Sequence, residues 1–231
     1  MSQVLEQNMA NPGSGNPWTL AIDPDAPMAE GNNRTCTPQE FLSSIEAGDS
    51  AAVSRFLSHG ADLNARDERG WFPLMISSSN GNEEITRLLI RGGADIQARD
   101  DAGYTPLHRA ACNDHGMVVR LLLENDSDPN AHSNSAWTPL MQAASRGHLA
   151  AVKLLIAGGC NVNLASEDGW TALHKATAND HLEVVKLLLA HYADRNMQLQ
   201  DGSTALSIAT QNKNEAILSV LNARVLGSIL D

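Results

Sequence analysis

Aromatic residues are scarce in this 231-residue chain: 4% of the total, with only 3 Phe and 2 Tyr. That is thin material for one large globular core. Cysteine is scarcer still. Cys36, Cys112 and Cys160 are odd in number, widely separated and form no CxxC pair, which argues against a disulfide framework or a zinc site and for reduced thiols. No apolar run approaches the roughly 18 residues that span a bilayer. The N-terminus also lacks the basic region and apolar stretch of a signal peptide. A soluble intracellular protein of the cytoplasm or nucleus, with no membrane partner, is expected. Positive charge is the last deficit: 16 Lys+Arg stand against 27 Asp+Glu, a net charge of −11. This argues against a binder of nucleic-acid phosphates, and long-range steering favours basic partners. What the chain has is a 42% hydrophobic fraction drawn mostly from Ala, Leu, Ile and Val. Such residues build short helices that pack closely on one another.

Residues 1–36 read differently from the rest. NPGSGNP, IDPDAP and EGNN are turn-forming punctuation without helical or strand period, which suggests a flexible acidic tail of net charge −3. Its one apolar island, Trp18, Leu20 and Ile22, suits either a docking motif or a segment folded back on the body. From residue 37 a fixed period takes over. Leu74, Leu107, Leu140, Leu173 and Leu206 are each 33 residues apart, inside GWFPLM, GYTPLH, AWTPLM, GWTALH and GSTALS. These segments resemble the ankyrin repeat, whose signature is this period with T-P-L-H-x-A. The resemblance covers residues 37–231 as six units, 37–69, 70–102, 103–135, 136–168, 169–201 and 202–231. It implies an all-α solenoid of helix-turn-helix units with protruding β-turn or hairpin tips.

The slots of the repeat also make physical sense one by one. Thr105-Pro106, Thr138-Pro139 and Thr171 suit helix starts, with Pro in the first turn where a missing N–H costs nothing. A turn slot, Gly48, Gly81, Asp114, Gly147, Asp180 and Lys213, suits left-handed backbone. Second helices carry Leu88-Leu89-Ile90, Leu121-Leu122-Leu123, Leu154-Leu155-Ile156 and Leu187-Leu188-Leu189 as their buried stripe. A further Gly-type slot, Gly60, Gly93, Asp126, Gly159 and Tyr192, stops them. Polar exchanges in the first and last units, such as Ser54, Arg55 and Asn222, read as caps whose outer faces meet water. Tyr192 is the oddest exchange: left-handed backbone costs a tyrosine about 1 kcal/mol or more. A remodelled loop and a weak junction between units five and six are therefore expected there.

No nucleophile elbow, P-loop, HExxH or dinucleotide fingerprint is present, so no catalytic, cofactor-binding or metal-binding residue is assigned. His115, His148 and His181 share one slot of successive units. Stacked helices sit about 8–10 Å apart, whereas zinc ligands lie about 2 Å from the ion, so neighbours in this ladder are badly placed to share a metal. The histidine of TPLH, here His108 and His174, has by resemblance a structural role at the helix start.

In ankyrin arrays the tips and first helices line a concave face that usually contacts partners. On that face Trp71, Tyr104, Trp137 and Trp170 repeat at one slot. Two roles suit them: a partner-binding stripe of large amphipathic rings, or a ladder packed on neighbouring tips. Flanking tip and helix-end slots add Arg69, Asp101, Asn113, Arg146, Asp168 and Asn179 as candidate contacts, a face moderately acidic and rich in Asn that favours a basic protein or peptide over nucleic acid. Asn163 and Asn196, each with Leu eight residues before, resemble substrates of the iron-dependent asparaginyl hydroxylase. The function expected is a non-catalytic adaptor or regulatory subunit, monomeric when free, that binds another protein. The alternative is an inhibitor or assembly chaperone of an enzyme complex.

Overall fold

A computed structural model of the protein describes residues 37–223. The tail 1–36, with its Trp18 island and Cys36, and the last eight residues lie outside that range. Among the described residues there are twelve helices and no strand: α1 (Pro38–Glu46), α2 (Ser50–Ser58), α3 (Pro73–Asn80), α4 (Glu83–Arg91), α5 (Pro106–Cys112), α6 (Gly116–Glu124), α7 (Pro139–Arg146), α8 (Leu149–Ala157), α9 (Ala172–Ala178), α10 (Leu182–Ala190), α11 (Ala205–Gln211) and α12 (Glu215–Asn222). They pair as six helix hairpins. The odd-numbered helices pack on one another in chain order, the even-numbered helices do the same, and the result is two layers.

The helix starts follow from sequence. Thr37 caps α1 in a reciprocal box with Glu40, and Thr138, Thr171 and Thr204 accept from the first-turn N–H groups of α7, α9 and α11. Phe72 occupies the same slot before α3 without a side-chain cap. The core is as local as the composition implies. Leu74, Leu107, Leu140 and Leu173 are each at most 1% exposed and pack among Ala110, Ala111, Ala143, Ala144 and Ala176. Each unit thus buries surface against its neighbours rather than in a shared centre. Leu206, the fifth leucine of the register, is 38% exposed.

All sixteen described residues with positive φ fall into three slots of the repeat. One is the turn inside each hairpin, one is the stop of each second helix, and one is the tip at Gly70, Gly103, Ala136, Gly169 and Gly202. The loop at Tyr192 is not remodelled, contrary to expectation. Its φ is +63°, and the bonds Tyr192 N–H to Leu189 O and Ala193 N–H to Leu188 O match those of Gly93 and Ala94 in unit two. The side chain points outward, 87% exposed. Hydrogen bonds to neighbouring units hold this backbone in place, so the residue conforms to the loop rather than the reverse.

The tips also differ from a hairpin. Each is a five-residue turn. Asp100 N–H donates to Tyr104 O and Gly103 N–H to Asp100 O, with the same pair of bonds at Asp67, Ser133, Ser166 and Leu199. No strand ladder extends from them among the described residues.

Candidate partner-binding face

The tip turns aim their aromatics along one register. In each turn the residue that opens it also binds the aromatic's backbone through its side chain. Carboxylates do this in units two and three: Asp67 Oδ1 accepts from Trp71 N–H at 2.8 Å and Asp100 Oδ1 from Tyr104 N–H at 2.9 Å. Hydroxyls do it in units four and five, where Ser133 and Ser166 accept from Trp137 and Trp170, both at 3.1 Å. Trp71, Tyr104, Trp137 and Trp170 are all half-buried. The two roles expected for the stripe coexist in it. Trp71 and Trp137 pack on the core, while Tyr104 and Trp170 stand edge-on to His108 and His174 at centroid separations of 5.3 and 6.2 Å.

Cations from the first helices lie between the rings. The Arg109 guanidinium sits 4.2 Å from the centroid of Trp71 and 4.9 Å from that of Tyr104. The Lys175 ammonium sits 4.3 Å from Trp137 and 3.8 Å from Trp170. Cation–π contact of this kind is worth about 0.5–1 kcal/mol when exposed and about 2 when desolvated. Arg109 also pairs with Asp100, whose side chain is 3% exposed. Lys175 has no ion pair among the described residues. Burial pulls its ammonium below the ordinary lysine range, and the Asp168 charge opposes that shift. Arg109 and Lys175 were not among the contacts expected from sequence. Their signal was a cation five residues after a tip aromatic, in units three and five.

The remaining candidates divide by what they touch. Arg69 stacks on Trp71 at 4.2 Å and bridges Glu46 and Asp67. Asp101 accepts from Arg66. Asn113 and Asn179 donate their amides backward, to the carbonyl and hydroxyl of Ser79 and of Ser145, so both are inter-unit struts. Arg146, at the end of α7, and Asp168, on the fourth tip, are exposed. Asn163 bridges to the next unit, donating to Tyr192 O and accepting from Asp194 N–H. The exposed Asn196 has no side-chain hydrogen bond among the described residues.

The histidines are engaged within the array. His115, His148 and His181 each place Nε2 about 3 Å from a carbonyl of the preceding unit, Ser79, Cys112 and Ser145 respectively. Those carbonyls lie at first-helix ends, which have no intrahelical donor. His108 Nδ1 accepts from Thr105 N–H, and its Nε2 lies 2.9 Å from Trp137 O in the next unit. Burial lowers its pKa to about 4. His174 repeats the bond at Nδ1 with Thr171, but its Nε2 lies 3.0 Å from Met197 O, inside its own unit. Burial of Cys160 pushes its thiol up to about 11, which keeps it protonated and a poor nucleophile. Among the described residues no His/Cys/Asp/Glu group is arranged to hold a metal, and no helix is long and apolar enough to cross a membrane.

The family pattern described as ankyrin repeats, in three copies, matches residues 41–133 and 126–198. The chain belongs to the ankyrin-repeat family. Members act through protein–protein contacts, and catalysis is generally not their work. Two curated proteins match a shorter stretch. The human mitochondrial disaggregase is 38% identical over 50 residues, 22% of this chain and 7% of that protein. Human protein phosphatase 1 regulatory subunit 27 is 41% identical over 46 residues, 20% of this chain and 30% of that protein. The chain thus spans less than a third of the length of either relative.

Proposed function

We propose that this ankyrin-repeat chain is a non-catalytic adaptor or regulatory subunit that docks a partner protein on its tip-and-first-helix face. The observation that carries this reading is the stripe of four half-exposed aromatics in one register, Trp71, Tyr104, Trp137 and Trp170. Tyr and Trp are over-represented among binding hot spots because they bury much area at little conformational cost. The likeness to a protein named as a phosphatase regulatory subunit supports the regulatory form of the reading. The acidity of the face carries less weight, since Asp67, Asp100 and Asp101 are matched by Arg69, Arg109 and Arg66.

The test is affinity purification with the intact chain against a Trp170→Ala variant whose helical melt is retained. Trp170 is the better probe because Trp71 and Trp137 also pack on the core. Binding of the recovered partner should weaken by about 2 kcal/mol; unchanged binding by this variant would refute the reading. Asn163 and Asn196 are proposed acceptors for hydroxylation, Asn196 the more accessible. Peptide mass spectrometry of native protein should show one added oxygen there, and unmodified peptides at both sites would end the idea.

A further inference from the structure

We infer that the Lys175 ammonium, held between the Trp137 and Trp170 rings, is the seat for a carboxylate of an acidic peptide segment in the bound partner. This deepens the proposed function and rests on it. The argument comes from comparing cation stations along one face. Arg69 on Trp71 has Asp67 and Glu46 as counter-ions. Arg109, between Trp71 and Tyr104, has the buried Asp100. Lys175 occupies the same repeat slot as Arg109, two units on, with ring distances as short, yet among the described residues it has neither an ion pair nor a hydrogen-bond acceptor.

The reason is a single exchange at the tip. Asp100 does two jobs, holding the Tyr104 turn and neutralising Arg109. Ser166, its counterpart two repeats on, holds the Trp170 turn with a hydroxyl and brings no charge. The turn is kept and the counter-ion is gone. Two faces of aromatic density flank the ammonium, but its N–H donors have no acceptor among the described residues, and half-burial restricts the water that replaces one. Arg146, exposed at the end of α7, adds a second positive charge to the same two-unit stretch. Asp168, whose charge acts on Lys175, is exposed on the tip and forms no bridge to it. An incoming Glu or Asp with an apolar neighbour satisfies the donors and covers the indoles, whereas a lysine-rich segment places like charge on Lys175.

The experiment selects from a random-peptide display library on the intact chain, in parallel with Lys175→Gln, Lys175→Glu and Trp170→Ala variants whose melts match the parent. Retained peptides are expected to carry Glu or Asp beside an apolar residue. For one such synthetic peptide, changing its acid to the amide, or Lys175→Gln, should each weaken binding at least tenfold, with little further loss when combined. The Lys175→Glu variant should regain binding when the peptide acid is replaced by Lys. Peptides that need Trp170 but ignore Lys175, or that are enriched in Lys and Arg, would overturn the carboxylate seat while leaving the docking face standing. A screen in which no peptide depends on Trp170 or Lys175 would overturn both.

Discussion

Ser77 and Ser78 stand side by side on α3 in the small-residue slots that units three and four fill with Ala, and both are fully buried, yet they contribute in opposite senses. Ser77 Oγ donates to Leu74 O at 3.1 Å and lies 3.0 Å from Thr86 Oγ1, which donates to it, so the hydroxyl joins two helices of one hairpin. Ser78 Oγ has no partner. A buried hydroxyl left unpaired costs about 1–3 kcal/mol, whereas one that is paired contributes about 1. Ser78→Ala removes that liability and almost no volume, and is expected to raise the unfolding free energy by about 1 kcal/mol. Ser77→Ala orphans Thr86 and should lower it by at least as much. Urea denaturation of both variants decides this, and equal shifts in one direction would refute it.

At the scale of the element, the repeat is a backbone conformation copied six times, and side chains are tolerated only as that backbone allows. Gly81, at φ +71°, closes the α3–α4 turn, and a Cβ there would overlap the His115 imidazole that bridges to Ser79 O. Gly60, at φ +76°, has nothing within 4 Å of that position. Both changes to Ala suffer the left-handed penalty of about 1 kcal/mol, but Gly81→Ala also displaces the bridge and should cost about 1 kcal/mol more. Thermal midpoints that fall equally would contradict the bridge. The converse holds at Tyr192, whose exposed ring forms no packing that its removal would forfeit, so Tyr192→Gly is expected to stabilise by about 1 kcal/mol in the same assay. Much of this was legible in sequence. Thr-Pro starts, Gly and Asp turn slots and Leu stripes recur at fixed spacing because every unit solves the same local problem. The Lys175 clamp was not legible, since it joins Trp137 and Lys175 from different units and depends on how those units stack. Asn113 and Asn179 were opaque for the same reason: a backward strut and an outward contact look alike until the neighbouring carbonyl is placed.

For the whole molecule, the two buried histidines make stability a function of pH. Neutral His108 is held by one bond on each nitrogen, and burial lowers its pKa from 6.5 to about 4. Between those values the unfolded chain takes up a proton that the folded chain refuses, so stability is complete above pH 6.5 and falls with acidification toward pH 4. His174 is shifted in the same direction by burial. From pH 7.5 to 5, His108 alone accounts for about 2 kcal/mol, the slope rising toward about 1.36 kcal/mol per pH unit below pH 6.5. Denaturant melts at the two pH values should show that loss, and His108→Gln should flatten the slope as well as lowering stability at pH 7. An unchanged slope would exclude His108 as its source. The loss should also be uneven, because a solenoid's stability is a sum of unit and neighbour-interface contributions. His108 lies on α5 and His174 on α9, while the same slot on α7 is Met141. Hydrogen exchange at pH 5, corrected for its intrinsic rate, should therefore lose protection in α5 and α9 before α7. Uniform loss along the array would mean that the units open together and that acid acts on the whole stack rather than at two of its helices.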